Sequence, residues 1–149
     1  MGQYNDFLQA EFTPPMRWVL NKTLSYEADN LTEEDIETLR EVGANCTKTG
    51  KISARTGFET NLASVPRVLW SILSPWDIAR ASVIHDYLYY VCKQYFGVNG
   101  SSIEKWEKTR KIADKIFLVA MKDSDPKVGS YKIYSAYYAV RAFGSKHAQ

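Results

Sequence analysis

The residues of this chain that could do chemistry are His85-Asp86-Tyr87-Leu88-Tyr89 and, further along, Ala113-Asp114-Lys115-Ile116-Phe117. On a helix His85 and Tyr89 lie one turn apart on one face, and Asp86 points about 100° round toward a different neighbour. If the second segment is the next helix, running antiparallel, Asp114 can meet the His85 ring across the interface. A carboxylate on one imidazole nitrogen fixes the tautomer and leaves the other nitrogen free to take a proton from water, as a hydrolytic His-Asp pair requires. Asp86 then remains as a hard oxygen ligand suited to calcium.

Elements must hold these groups, and hydrophobic spacing outlines them. WDIARASVIHDYLYYVCKQYF places Ile78, Ser82, His85, Tyr89 and Cys92 along one helical face. SSIEKWEKTRKIADKIFLVAMKD repeats the pattern with Trp106, Arg110, Ala113, Phe117, Ala120 and Met121 inward, behind a Ser101–Glu104 capping box. SYKIYSAYYAVRAFG predicts a last helix, with Tyr131, Tyr134, Tyr138 and Arg141 along one side and Gly144 as its stop. Upstream, the parity of Trp18, Leu20, Leu24 and Tyr26 predicts one strand, and KISA a second. LTEEDIETLREVGA predicts a surface helix with Thr32 as N-cap, Asp35 at N3 and Gly43 as stop. The expected architecture is α+β: a small antiparallel sheet in the N-terminal half packed with a C-terminal core of about three helices, in one domain over residues 1–149. Between the halves, TGFETNLASVPRVLW has turn residues at both ends and is the expected functional loop, with Asn61, Ser64 and Arg67 over the His85 site and Arg67 placed for an anionic substrate group.

Composition removes competing chemistries. The 149 residues include ten tyrosines but two histidines, His85 and His147, and two isolated cysteines, Cys46 and Cys92. That set forms neither a zinc site nor a disulfide framework, and an HD-type phosphohydrolase needs further metal-binding histidines. Nineteen Lys and Arg against 17 Asp and Glu give a net charge of +2, which argues against nucleic acid as a partner. The tyrosines between Tyr131 and Tyr138 accordingly read as a core stripe with a basic solvated face. No signal peptide or transmembrane segment is expected, and the unpaired cysteines fit a reducing compartment.

Two resemblances enter through these residues. H-D-x-x-Y followed on the next helix by A-D-x-x-F, over roughly positions 77–121, resembles the core signature of the calcium-dependent phospholipase A-two superfamily. That resemblance implies His85 as the base activating water, Asp114 as the carboxylate orienting it, Tyr89 as a hydrogen-bonding support, and Asp86 as ligand to a calcium ion polarising the ester carbonyl. Lipid or acyl-ester substrates would follow. Gly57-Phe58-Glu59-Thr60-Asn61-Leu62-Ala63-Ser64-Val65-Pro66-Arg67, then His85 to Tyr89, then Ala113-Asp114 with Phe117, is similar to an uncharacterised domain family of tailed bacteriophages and prophages. Its motif reads G-F-x-T-D-x-A-S-V-P-R, so Asn61 stands where Asp is usual; if that Asp is a metal ligand, Asn61 keeps one oxygen and loses the charge. A phage protein acting in the host cytoplasm, or in the virion, is implied. The alternative is a non-catalytic phage protein binding a host factor or virion component on the same scaffold, and it is motivated by Asn61 and by the absence of a Gly-rich calcium loop before His85.

Overall fold

A computed structural model of the chain describes residues 2–13, 17–60, 78–99, 103–124 and 127–148. Its N-terminal half holds two antiparallel three-stranded sheets. In the first, β4 (Leu24–Glu27) lies between β1 (Gln3–Tyr4) and β5 (Lys51–Ala54). In the second, β3 (Arg17–Leu20) lies between β2 (Ala10–Thr13) and β6 (Glu59–Thr60). The single strand expected from Trp18 to Tyr26 is therefore two strands in different sheets. The break falls at Asn21-Lys22-Thr23, where the Asn21 N–H donates to the Gln9 carbonyl at 2.9 Å and Lys22 pairs with Asp6. Common parity survives because Leu20, Leu24 and Tyr26 all point into the same core. The register sets Tyr26 opposite Ile52 and Leu24 opposite Ala54, giving the first sheet an apolar face.

α1 (Glu33–Glu41) begins as its sequence predicts. Thr32 Oγ1 accepts from the Asp35 N–H at 3.1 Å, and Asp35 Oδ2 accepts from the Thr32 N–H at 3.2 Å, closing the capping box. Gly43, at φ +96°, ends the helix in a conformation that side chains disfavour.

Three long helices follow: α2 (Ala79–Asn99), α3 (Ile103–Lys122) and α4 (Ser130–Ala148). α2 is central, packing on β4 and β5, on α3 and on α4. It is consequently buried around most of its girth, with Ala81, Ser82, Val83, Ile84, His85 and Leu88 all at 3% exposure or less. α3 contributes Ile112, Ala113, Ile116, Phe117, Ala120 and Met121 to the core, and α4 contributes Ile133, Ala136 and Val140. Each large apolar side chain so buried contributes roughly 1.5–3 kcal/mol.

Two expectations for α4 are corrected. Tyr131, Tyr134 and Tyr138 are not a core stripe, being 67%, 37% and 64% exposed. The face turned inward carries Ile133, Ala136 and Val140 instead, and α4 packs on α3. Nor does the helix stop at Gly144, since it runs on to Ala148. The Ser101 cap of α3 lies outside the described residues. The α+β class and the three C-terminal helices stand as expected, and among the described residues no helix is long and apolar enough to cross a membrane.

Candidate active site

The helical spacings converge on one buried carboxylate. Asp114, on α3, has no exposed surface, and His85, on α2, is 3% exposed. His85 Nε2 lies 2.7 Å from Asp114 Oδ1, and the Tyr89 hydroxyl, one turn along α2, donates to the same oxygen at 2.5 Å. The other oxygen, Oδ2, accepts from Arg141 Nη1 of α4 at 2.7 Å. Arg110, one turn before Asp114 on α3, holds its Nη1 3.6 Å from Oδ2. Two aromatic rings lie against the imidazole: its centroid is 4.4 Å from the Phe117 ring in a stacked arrangement and 4.2 Å from the tilted Tyr89 ring. Three helices thus supply one site, with α2 giving the imidazole and phenol, α3 the carboxylate, and α4 a guanidinium.

Charge follows from these partners. Burial works to raise the Asp114 carboxyl, but hydrogen bonding and charge from His85, with hydrogen bonds from Tyr89 and Arg141, outweigh it and hold the group below the usual carboxylate range. Asp114 is therefore ionised near neutral pH and can only accept. A neutral His85 must then carry its proton on Nε2, and Nδ1 keeps the lone pair. The same field acts on its neighbours: burial, then the Asp114 charge, pushes the Tyr89 hydroxyl far up and the Cys92 thiol up to about 12. Tyr89 is thus a hydrogen-bond donor at all ordinary pH values.

Arg110 braces the arrangement. Its Nη1 donates to the Val140 carbonyl at 3.1 Å, and its Nη2 to Glu107 Oε2 at 3.1 Å and to the Arg141 carbonyl at 3.3 Å. These bonds tie α3 to the stretch of α4 that carries Arg141.

Asp86 turns away from the pair, as its 100° offset on α2 requires. Its Oδ2 accepts from the Thr60 hydroxyl, which fastens β6 to α2. Calcium takes about six to eight oxygen ligands. Around Asp86 the described residues offer one carboxylate with an oxygen engaged by Thr60, and among them no group of three or more His, Cys, Asp or Glu could hold a metal ion. The remaining oxygen ligands expected around a calcium ion belong to the loop from Asn61 onward. Asn61, Ser64 and Arg67 lie outside the described residues.

Of the residues expected from sequence, His85, Tyr89 and Asp114 come together, and Asp86 lies beside them facing Thr60. Sequence reasoning missed the roles of Arg110, Arg141 and Thr60. A signal existed for Arg110, a cation on an inward face four residues before Asp114, where a helix places an ion-pair partner. Nothing local marks Arg141, which reaches Asp114 from 27 residues away.

Fold and site together define an α+β protein with a buried His-Asp pair at the junction of three helices. The chain belongs to the family described as Protein of unknown function (DUF1353), whose model matches residues 37–140. That span includes His85, Asp86, Tyr89, Arg110 and Asp114 and ends one residue before Arg141. No curated protein and no solved structure matches the chain.

Proposed function

We propose that this is a phage-encoded hydrolase of ester or related acyl bonds in which His85 is the base. The supporting observation is the His85 Nε2 contact with Asp114 Oδ1, backed by Tyr89 and Arg141, which directs the basic Nδ1 away from the carboxylate. Nδ1 takes a proton from water as the water oxygen attacks the acyl carbon, and Asp114 stabilises the imidazolium formed. When the tetrahedral intermediate collapses the acyl C–O bond breaks, and the imidazolium returns its proton to the departing alkoxide. Acid and alcohol are the products, and His85 ends neutral.

The experiment is turnover on a panel of acyl esters of graded chain length, phospholipids included, with calcium and with a chelator. Wild-type protein is expected to hydrolyse at least one member, and His85→Ala to lose roughly 10²–10⁴-fold in rate while its circular dichroism melt keeps a native transition. A His85→Ala protein with wild-type turnover sinks the proposal.

A second reading is favoured by a different observation: both partners of the pair are buried, and Asp114 accepts from His85, Tyr89 and Arg141 on two other helices. A polar clamp joining helices in a non-catalytic phage protein, one that binds a host or virion component, needs the same features. It is favoured if no ester is turned over and His85→Ala only lowers stability.

A further inference from the structure

We infer that Arg141 is a positioning residue for the His85-Asp114 pair, so that α4 belongs to the site and is not merely packed beside it; this rests on the hydrolytic reading for its effect on rate. The two carboxylate oxygens of Asp114 are chemically equivalent, and rotation about the last side-chain bond of an aspartate is soft. Which oxygen faces His85, and at what tilt, is decided by what the other oxygen binds.

In this chain the division of labour is complete. Oδ1 takes both donors of α2, the His85 Nε2–H at 2.7 Å and the Tyr89 hydroxyl at 2.5 Å. Oδ2 takes the Arg141 Nη1–H at 2.7 Å. Arg110 is no substitute, because its Nη1 stands 3.6 Å from Oδ2 and its guanidinium is committed to Glu107 and to the carbonyls of Val140 and Arg141. Those carbonyl bonds hold the backbone of α4 at residue 141, so Arg110 aims Arg141 and Arg141 aims Asp114. Exposure agrees with this order: the Asp114 side chain is 0% exposed, Arg110 7% and Arg141 27%.

The chain offers a direct reporter. Only two histidines are present, and among the described contacts His85 is the one bonded to a buried carboxylate. A ring N–H bonded to a buried carboxylate is shielded from exchange and resonates far downfield in proton NMR, so one such signal, from His85 Nε2–H, is expected. Arg141→Gln should displace or abolish it, and Arg141→Lys, which keeps a charge and one donor on a shorter stem, should displace it less. On the best ester of the panel, Arg141→Gln should lower kcat about tenfold to a hundredfold with little change in KM, because the pair is misplaced and not removed. Arg141→Lys should recover part of that loss.

A signal at the wild-type position in folded Arg141→Gln overturns the inference. Should Arg141→Gln fail to fold, Arg141→Lys decides alone: a displaced signal supports the inference and an unmoved one overturns it. The NMR arm needs no turnover. A displaced signal in a protein that hydrolyses nothing therefore keeps the positioning role and defeats the hydrolase reading, whereas an unmoved signal in an active enzyme does the reverse.

Discussion

Two aspartates, Asp35 of α1 and Asp114 of α3, show how burial changes what a carboxylate does. Asp35 caps α1 and accepts from Lys115 at 2.8 Å, while Asp114, the residue adjacent to Lys115, accepts from His85, Tyr89 and Arg141 on the inward side. Both carboxyls are held below their ordinary range, and burial opposes the shift in each. The partners differ in kind. Asp35 has a backbone N–H and a lysine whose side chain is 37% exposed, whereas Asp114 has the buried His85 with the half-buried Tyr89 and Arg141 from two other helices. One arrangement seats a helix against the bundle. The other binds the bundle together and orders an imidazole.

That contrast predicts very different costs. Asp114→Asn turns one acceptor into a donor facing His85, Tyr89 or Arg141 and takes the carboxylate away from the buried Arg110 and the half-buried Arg141, so a loss of about 3–5 kcal/mol is expected in urea unfolding. Asp35→Asn keeps a capping oxygen and gives up a partly exposed ion pair, and should cost about 1 kcal/mol or less. Equal losses in the two variants would erase the distinction.

Acid should separate them next. A carboxyl whose folded pKa is depressed contributes stability that is fully present above its unfolded value, near 3.9, and is lost as pH falls through the folded value. Wild-type stability should therefore exceed that of Asp114→Asn by a constant amount at neutral pH, and the gap should close below about pH 4. The Asp35→Asn gap should close in the same window from a smaller starting value. Denaturant midpoints at stepped pH measure both, and an Asp114→Asn gap that persists unchanged to the most acidic point would show that the ionised carboxylate is not the source.

How much of this was legible in the sequence depends on the distance over which each signal acts. Thr32 and Asp35 announce the start of α1 because a capping box is closed within four residues. His85, Tyr89 and Asp114 were legible because helical period alone fixes who shares a face, and two successive helices leave few ways to bring the faces together. The split between β3 and β4 was not legible, since residue parity is the same in one long strand and in two strands feeding one core. Tyr131, Tyr134 and Tyr138 misled for a related reason: the period identifies a stripe, while the choice of which stripe is buried was made by Ile133, Ala136 and Val140 packing against α3. Arg141 is the extreme case, a role defined only after α3 and α4 have docked.

The finest test of the comparison uses the cysteines, one near each region. Cys46 pairs with Ile52 across a β-bridge beside the first sheet, and burial raises its thiol pKa while Arg40 pulls the other way. Cys92 lies on α2, where burial and then the Asp114 charge push its thiol up to about 12. At pH 8 its thiolate is then roughly one part in 10⁴, so native Cys92 should label more slowly than Cys46 with a thiol reagent, and both should label at once in denaturant. Asp114→Asn removes the negative charge that disfavours the Cys92 thiolate, so Cys92 should speed up beyond any change at Cys46. Because the destabilised variant also opens more often, the comparison is made as the ratio of the two sites, followed by mass spectrometry at low reagent. An unchanged ratio would mean that the Asp114 charge is fully neutralised by Arg110 and Arg141 at the distance of Cys92, leaving burial alone to set its reactivity.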